Sequence, residues 1–203
     1  RIANGRQVFD LILGNQQYQG VTAGMPGRHN VDNAVAAACL AQNVGMGIET
    51  IAQGISSFTG VKRRFDVHIH QGDIVYLDDY AHHPTELRQL ITSLRELHPG
   101  REIAMLFQPH LYSRTQDFMQ DFIEVLSSIE HLALLPIYPA RELPIEGVRS
   151  EVICKALDAS LQTEATAAAW LASHDKAIMV TAGAGDIDRQ VPRVIANLQS
   201  RLS

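Results

Sequence analysis

From Arg64 onward the chain alternates short apolar runs with helix-spaced apolar residues, and that rhythm leaves few folds open. Residues 103–107, 132–135 and 177–181 are apolar runs of strand length. Between the strands lie helical patterns. Leu87, Leu90, Ile91, Leu94 and Leu97 recur at spacings of three and four until Pro99-Gly100 ends the helix. Phe118, Phe122, Val125 and Leu126 mark one face of a second helix. Short helices are expected near 150–157 and 163–171, and a last one carries Val191, Val194, Ile195 and Leu198. Ahead of these, residues 65–70 alternate strictly as a half-buried strand does, Gln71-Gly72-Asp73 turns the chain, and 74–77 return as a second strand. Strands separated by helices pair in parallel through right-handed crossovers. The expectation is an α/β domain of Rossmann-like type with a mainly parallel sheet.

The first 61 residues read differently. A strand at 8–13 and the pair Val21-Thr22 flank a polar segment at 15–19, and Met25-Pro26-Gly27 punctuates the chain before a helix. That helix starts near Asn30 and runs to Gly45 or Gly47; its apolar residues are small, which suits close packing on a neighbouring backbone. A shorter helix follows at about 48–57. These elements are too few for a whole domain. The chain also opens at Arg1 rather than Met, so it is expected to be a piece of something larger. Division is expected at 1–61 and 62–203.

Composition removes several function classes. Seventeen Lys and Arg against 22 Asp and Glu leave a formal charge of −5, which argues against coating nucleic acid. No apolar run is long enough to span a bilayer. Cys39 and Cys154 lie in apolar helix-like segments; a single disulfide is open to them, and two buried thiols of a cytoplasmic protein are the expectation. The nine histidines lack the two-plus-two spacing and accompanying cysteines of a structural zinc site, so no metal ligand is assigned.

In such sheets ligands sit beyond the carboxyl ends of the strands. After Leu77 comes Asp78-Asp79-Tyr80-Ala81-His82-His83-Pro84-Thr85-Glu86. Successive strand residues face opposite ways, so one aspartate need face the site, where it could accept a ribose diol. The plainer role is helix capping by His83 or Asp79 ahead of Pro84. After Phe107 comes Gln108-Pro109-His110-Leu111-Tyr112-Ser113-Arg114-Thr115. Ser113 and Gln116 match a capping box, whereas His110 and Arg114 have no such local role. Arginine offers a planar fork for a carboxylate or phosphate, and imidazole moves protons near neutral pH. After Thr181, Gly183-Ala184-Gly185-Asp186 forms a turn that could wall a site. No glycine is followed by lysine, so there is no Walker A loop. Asn30 and Asn33 share a helix face, and an Asn amide can pair with adenine; Asn30 by itself reads as the N-cap. Lys62, Arg63 and Arg64 form a basic run, ordinarily a solvated linker.

Taken together, residues 26–33, Gly60-Val61-Lys62-Arg63-Arg64-Phe65, residues 78–86, Phe107-Gln108-Pro109-His110, Tyr138-Pro139-Ala140-Arg141-Glu142 and 183–187 resemble the Mur ligases, in that family's order. The resemblance implies the tail of a central P-loop ATPase domain in 1–61 and the whole Rossmann-like C-terminal domain in 62–203. It implies a cytoplasmic carbon–nitrogen ligase of peptidoglycan precursor synthesis that uses ATP and magnesium. In the branch most similar to this chain, L-alanine is joined to UDP-N-acetylmuramate through an acyl phosphate. By resemblance Asn33, with Asn30, meets adenine, Arg64 the ATP phosphates and Asp79 the ribose. Tyr80, His82, His110 and Arg114 would form the L-alanine pocket, with His82, His110 and Arg114 catalytic. The phosphate loop, the main magnesium ligands and the UDP site would lie outside this chain, leaving it inactive alone. Leu111 departs from the pattern, since many members carry Arg there. Two other readings stand beside this one: a recycling ligase that joins a tripeptide to UDP-N-acetylmuramate, and a stand-alone nucleotide-binding module. Neither nucleic acid nor membrane is an expected partner.

Overall fold

The computed structural model describes residues 1–3 and 6–202. They form two sheets. The smaller contains β1 (Ile2–Ala3), β2 (Arg6–Leu13) and β3 (Gln16–Thr22), all antiparallel. The polar segment expected to interrupt the strands is itself mostly β3, because Gly14, at φ 57°, opens a two-residue turn that pairs Leu13 with Gln16. Leu11, Leu13 and Val21 turn inward and pack on α1 (Arg28–Asn43) and α2 (Ile48–Ser57) through Ala38, Ile48, Ile51 and Ala52.

Two expectations for α1 are corrected. Its N-cap is Gly27, not Asn30: at φ 94°, and with a Cβ there falling 2.6 Å from Ser93 Oγ, that position requires glycine. Cys39 is exposed rather than buried, because α1 covers the sheet along a narrow line and only Ala38 on it is buried; Cys154 is buried.

The larger sheet has six strands in the order β4-β5-β9-β6-β7-β8. These are β4 (Asp66–Gln71), β5 (Ile74–Asp79), β6 (Ile103–Phe107), β7 (His131–Leu134), β8 (Ser160–Leu161) and β9 (Ile178–Ala182). All pairings are parallel except the β4–β5 hairpin at the edge. A register shift between Val67 and Ile69 breaks the expected alternation, leaving Val67 exposed while Ile69 is buried. The central strands β6 and β9 are buried along their whole length, as strands covered on both faces must be.

One face packs on α3 (Pro84–Leu97), α5 (Met119–Leu126) and α6 (Ser150–Leu157), the other on α7 (Ala167–Ala172) and α8 (Val191–Leu202). The three-layer α/β architecture is the one expected. Helix α3 begins as its sequence indicates. His83 accepts the Thr85 N–H, Glu86 closes the capping box, and Pro84 sits in the first turn. The helix expected through Phe118 is instead two, α4 (Tyr112–Asp117) and α5, because Phe118 leaves helical geometry and sets its ring edge-on to His83 at 4.5 Å. The Ser113–Gln116 capping box does not form. Leu111 is the N-cap, and Ser113 turns to Glu142. Among the described residues no helix is long and apolar enough to cross a membrane.

Candidate functional site

The strand ends carry a cavity and, beside it, a cluster of aromatic and imidazole rings. The cavity, of about 710 Å³, lies between α1, α2, the end of β5 and the first turns of α3. Asn30, Asn33, Arg64 and Asp79, 49 positions apart from first to last, all line it. Its apolar wall includes Met25, Ile55, Phe58, Phe65 and Leu90. The small residues of α1, expected to admit a neighbouring backbone, instead open this space: Ala34, Ala37, Ala38 and Ala41 face it. A cavity of this size and apolar character, with a few polar groups, suits a small organic ligand.

The polar groups differ in how free they are. The Asn30 amide nitrogen already donates to the Pro26 carbonyl at 2.6 Å, whereas Asn33 lies exposed one turn further along. Asp79 accepts two backbone N–H groups, from Phe65 and Ala81, each at 2.7 Å. Arg64 is exposed, and its guanidinium makes no ion pair among the described residues. It stands 5.7 Å from the centre of the Tyr80 ring. His29, which sequence reasoning passed over, also lines the cavity with a buried Nδ1 that has no partner among the described residues; burial lowers its pKa, with Asp32 opposing and Arg64 acting the same way.

Its neighbour Arg63 is no linker residue. Its side chain reaches Asp78 and the carbonyls of Gly183 and Gly185. Nothing local distinguishes the three basic residues, so only the tertiary structure separates Arg63 from Arg64.

Beside the cavity lies the ring cluster. Tyr80 and His82 meet edge-on at 5.2 Å, His82 and His110 at 5.8 Å, and His110 stacks on Tyr138 at 5.6 Å. The last contact is set by backbone: Leu111 donates to the Tyr138 carbonyl and Tyr138 to that of Pro109, extending the β6–β7 pairing past the strands. His82 Nδ1 lies 2.8 Å from the Tyr80 carbonyl. A carbonyl can only accept, so Nδ1 carries a proton in that bond, with Glu86 Oε2 3.3 Å away as a second acceptor, and Nε2 is the ring nitrogen that can hold a lone pair.

His110 Nδ1 and Arg114 Nη1 are buried and have no partner among the described residues. Burial lowers the His110 pKa, the charges of Arg114 and His82 lower it further, and Glu142 opposes them. The imidazole is therefore neutral at neutral pH, and Arg114 supplies the positive charge. Glu142 is held by the Ser113 hydroxyl at 2.5 Å and its N–H at 3.0 Å, which lower its pKa. An unpaired buried guanidinium N–H beside a neutral imidazole calls for an anionic acceptor. Tyr138 and Glu142 were legible only as part of a motif, with no role attached.

The Gly183–Gly185 turn is a packed wall. The Gly183 amide donates to the Asp79 carbonyl at 3.1 Å, and the Gly183 and Gly185 carbonyls accept from Arg63. A Cβ on Gly185 would fall 2.5 Å from Gln108 Oε1 and 2.6 Å from Tyr138 Cβ.

Residues 63–188 match the family described as Mur ligase, glutamate ligase domain. The chain is 41% identical over 197 residues to the UDP-N-acetylmuramate–L-alanine ligase of Flavobacterium johnsoniae, covering 96% of this chain and 44% of that protein. To the ligase of the same name from Porphyromonas gingivalis W83 it is 43% identical over 203 residues, covering 98% and 44%. Among solved structures it is similar to the UDP-N-acetylmuramate-alanine ligase of Thermotoga maritima, with a TM-score of 0.73 and 25% identity over 92% of this chain and 41% of that one. The Mycobacterium tuberculosis folylpolyglutamate synthase complexed with ADP shares the fold, at a TM-score of 0.69 and 14% identity over 96% and 46%. The chain thus spans less than half the length of the curated relatives it matches. With more than half of its residues inside the matched domain, the chain belongs to the Mur ligase family.

Proposed function

We propose that this chain is part of a cytoplasmic, ATP-dependent ligase that joins L-alanine to UDP-N-acetylmuramate in the making of peptidoglycan precursors. Residues 1–61 are the tail of its central ATP-binding domain and 62–203 its C-terminal domain. The observation that carries the reading is the convergence of Asn30, Asn33, Arg64 and Asp79 on one cavity, next to a ring cluster with an unpaired buried guanidinium N–H. The alanine-adding activity follows the names of relatives 41–43% identical to this chain.

In this reading Asn33 pairs with the adenine edge, with Asn30 behind it, while Met25, Phe58 and Phe65 take the ring faces. Asp79 accepts the ribose hydroxyls, and Arg64 offsets the charge of the phosphates. Transfer of the γ-phosphoryl group to the muramate carboxylate releases ADP and leaves an acyl phosphate. The amine of L-alanine then attacks the acyl carbon, inorganic phosphate departs, and one proton must leave the nitrogen. Arg114 holds the alanine carboxylate, Tyr80 closes the pocket, and the lone pairs of His82 and His110 take up the amine proton.

Magnesium would lower the repulsion between phosphate and carboxylate, but the residues here do not form a site for it. Asp79 and Glu86 each already accept two backbone N–H groups, and no third metal-binding side chain joins them among the described residues. No step here is routed through it. Without a Walker A lysine the γ-phosphate cannot be held in line, so the 203 residues alone are expected to turn over nothing.

The test is substrate-dependent phosphate release by the whole protein. UDP-N-acetylmuramate, ATP and free L-alanine together should release phosphate, and omission of any one should abolish it. Release that requires an L-alanyl-containing tripeptide instead would transfer the protein to the recycling ligases. Nucleotide binding with no ligation of either amine would favour a binding module.

A further inference from the structure

Arg64 is flanked by two non-glycine residues in the left-handed region, Arg63 at φ 62° and Phe65 at φ 50°. Residues with a Cβ adopt that region only where the surroundings leave no alternative. Here the surroundings are complete. The Arg63 N–H donates to Asp66 Oδ2 at 3.2 Å, and its carbonyl accepts the Tyr80 N–H at 2.6 Å. The Phe65 N–H donates to Asp79, and the Phe65 ring is buried in the core.

The Arg63 side chain adds a second set of bonds. Nε donates to Asp78 Oδ2 at 3.2 Å, Nη2 to the Gly183 carbonyl at 2.5 Å and Nη1 to that of Gly185 at 3.4 Å. Asp78 is 1% exposed and also accepts the Thr181 hydroxyl at 2.7 Å, which lies 3.1 Å from the Tyr76 hydroxyl. The guanidinium is thus bound to the interior of β5 and to the turn after β9. Neither Arg63 nor Asp78 lines the cavity.

We propose that Arg63 is a positioning residue, whose grip on Asp78 and on the Gly183–Gly185 turn holds the segment between the two sheets in the conformation that presents Arg64 to the cavity. This rests on reading the cavity as the nucleotide triphosphate site. Three acceptors arranged around one planar fork suit arginine and not a compact ammonium.

The test uses Arg63→Lys and Asp78→Asn. In the whole ligase each should raise the KM for ATP about tenfold or more, with the KM for L-alanine within about twofold. A second readout needs no activity. In NMR spectra of this chain, the Arg64 and Tyr80 amides, which donate to the Val61 and Arg63 carbonyls, should exchange at least about tenfold faster while β6 amides keep their protection. Unchanged Arg64 and Tyr80 amide exchange in both variants would overturn the proposal. So would uniform loss of protection throughout the sheet, which would mark the bonds as merely structural, and so would equal rises in both KM values. The NMR changes without any ATP dependence in the unsubstituted protein would support the clamp and sink the ligase reading alone.

Discussion

Asp79 accepts the Phe65 N–H through Oδ2 and the Ala81 N–H through Oδ1, both at 2.7 Å. One carboxylate therefore ties the residue after Arg64 to the turn that carries Tyr80 and His82, and joins the cavity lining to the ring cluster. Burial pushes its pKa up to about 6, against the pull of the two N–H donors and of Arg64.

A pH dependence follows from that shift. Between the ordinary carboxylate pKa and about 6 the folded chain holds a proton that the unfolded chain has released, so Asp79's contribution to stability falls as pH rises through this window. Binding runs the other way, because only the ionised form accepts two ribose hydroxyls. Affinity for adenosine, which has no phosphate to titrate, should rise about tenfold from pH 5 to pH 7, and Asp79→Asn should flatten the curve. Calorimetric titration at pH 5, 6 and 7 measures it; a flat profile in the unsubstituted chain would remove Asp79 from the ribose.

Arg114→Lys in the whole protein should weaken use of L-alanine by roughly 1.5–3 kcal/mol, because the charge remains while the fork is lost. The KM for ATP should hardly move. Steady-state kinetics with each substrate varied decides it, and an unchanged KM for L-alanine would refute the carboxylate assignment.

Asn33→Ala should cost ATP about 1–3 kcal/mol more than GTP, since adenine alone presents the donor and acceptor that an amide matches. Asn33 is exposed, so the melting temperature should stay within a degree or two. Equal losses for both nucleotides would assign the residue to the helix rather than to the base.

Gly183→Ala should destabilise the chain by roughly 2–4 kcal/mol. At φ 146° a Cβ there would lie 2.7 Å from the Gln108 carbonyl oxygen, a backbone atom that cannot swing aside. Urea unfolding should show the midpoint falling with an unchanged slope. A loss below about 0.5 kcal/mol would mean that the turn yields readily.

Much of the fold was legible because periodicity and capping are local. The three-and-four spacing of Leu87, Leu90, Ile91 and Leu94 marks the buried face of α3, and His83, Pro84 and Glu86 mark its start. Those signals survive because every partner lies within one helical turn. The strand ends were equally clear, and with them the positions of Asp79, His82 and His110. The break at Phe118 was not, since it depends on the His83 ring, 35 positions earlier. Ser113 was misread for a related reason: its chemistry fits a helix cap, but Glu142, 29 positions on, takes its hydroxyl.

The sequence by itself determined that strands and helices alternate from Arg64 onward, about where β5, β6, β7 and β9 end, and which residue types gather there. Tertiary structure alone decided which of two adjacent arginines faces the cavity. Arg63 and Arg64 carry the same chemistry and differ only in what surrounds them, namely Asp78 and the carbonyl of Gly183, 120 positions away. Periodicity reports which face of an element is buried. It carries no information on which distant backbone oxygen the order of strands brings into reach, and that order is set when β9 inserts between β5 and β6.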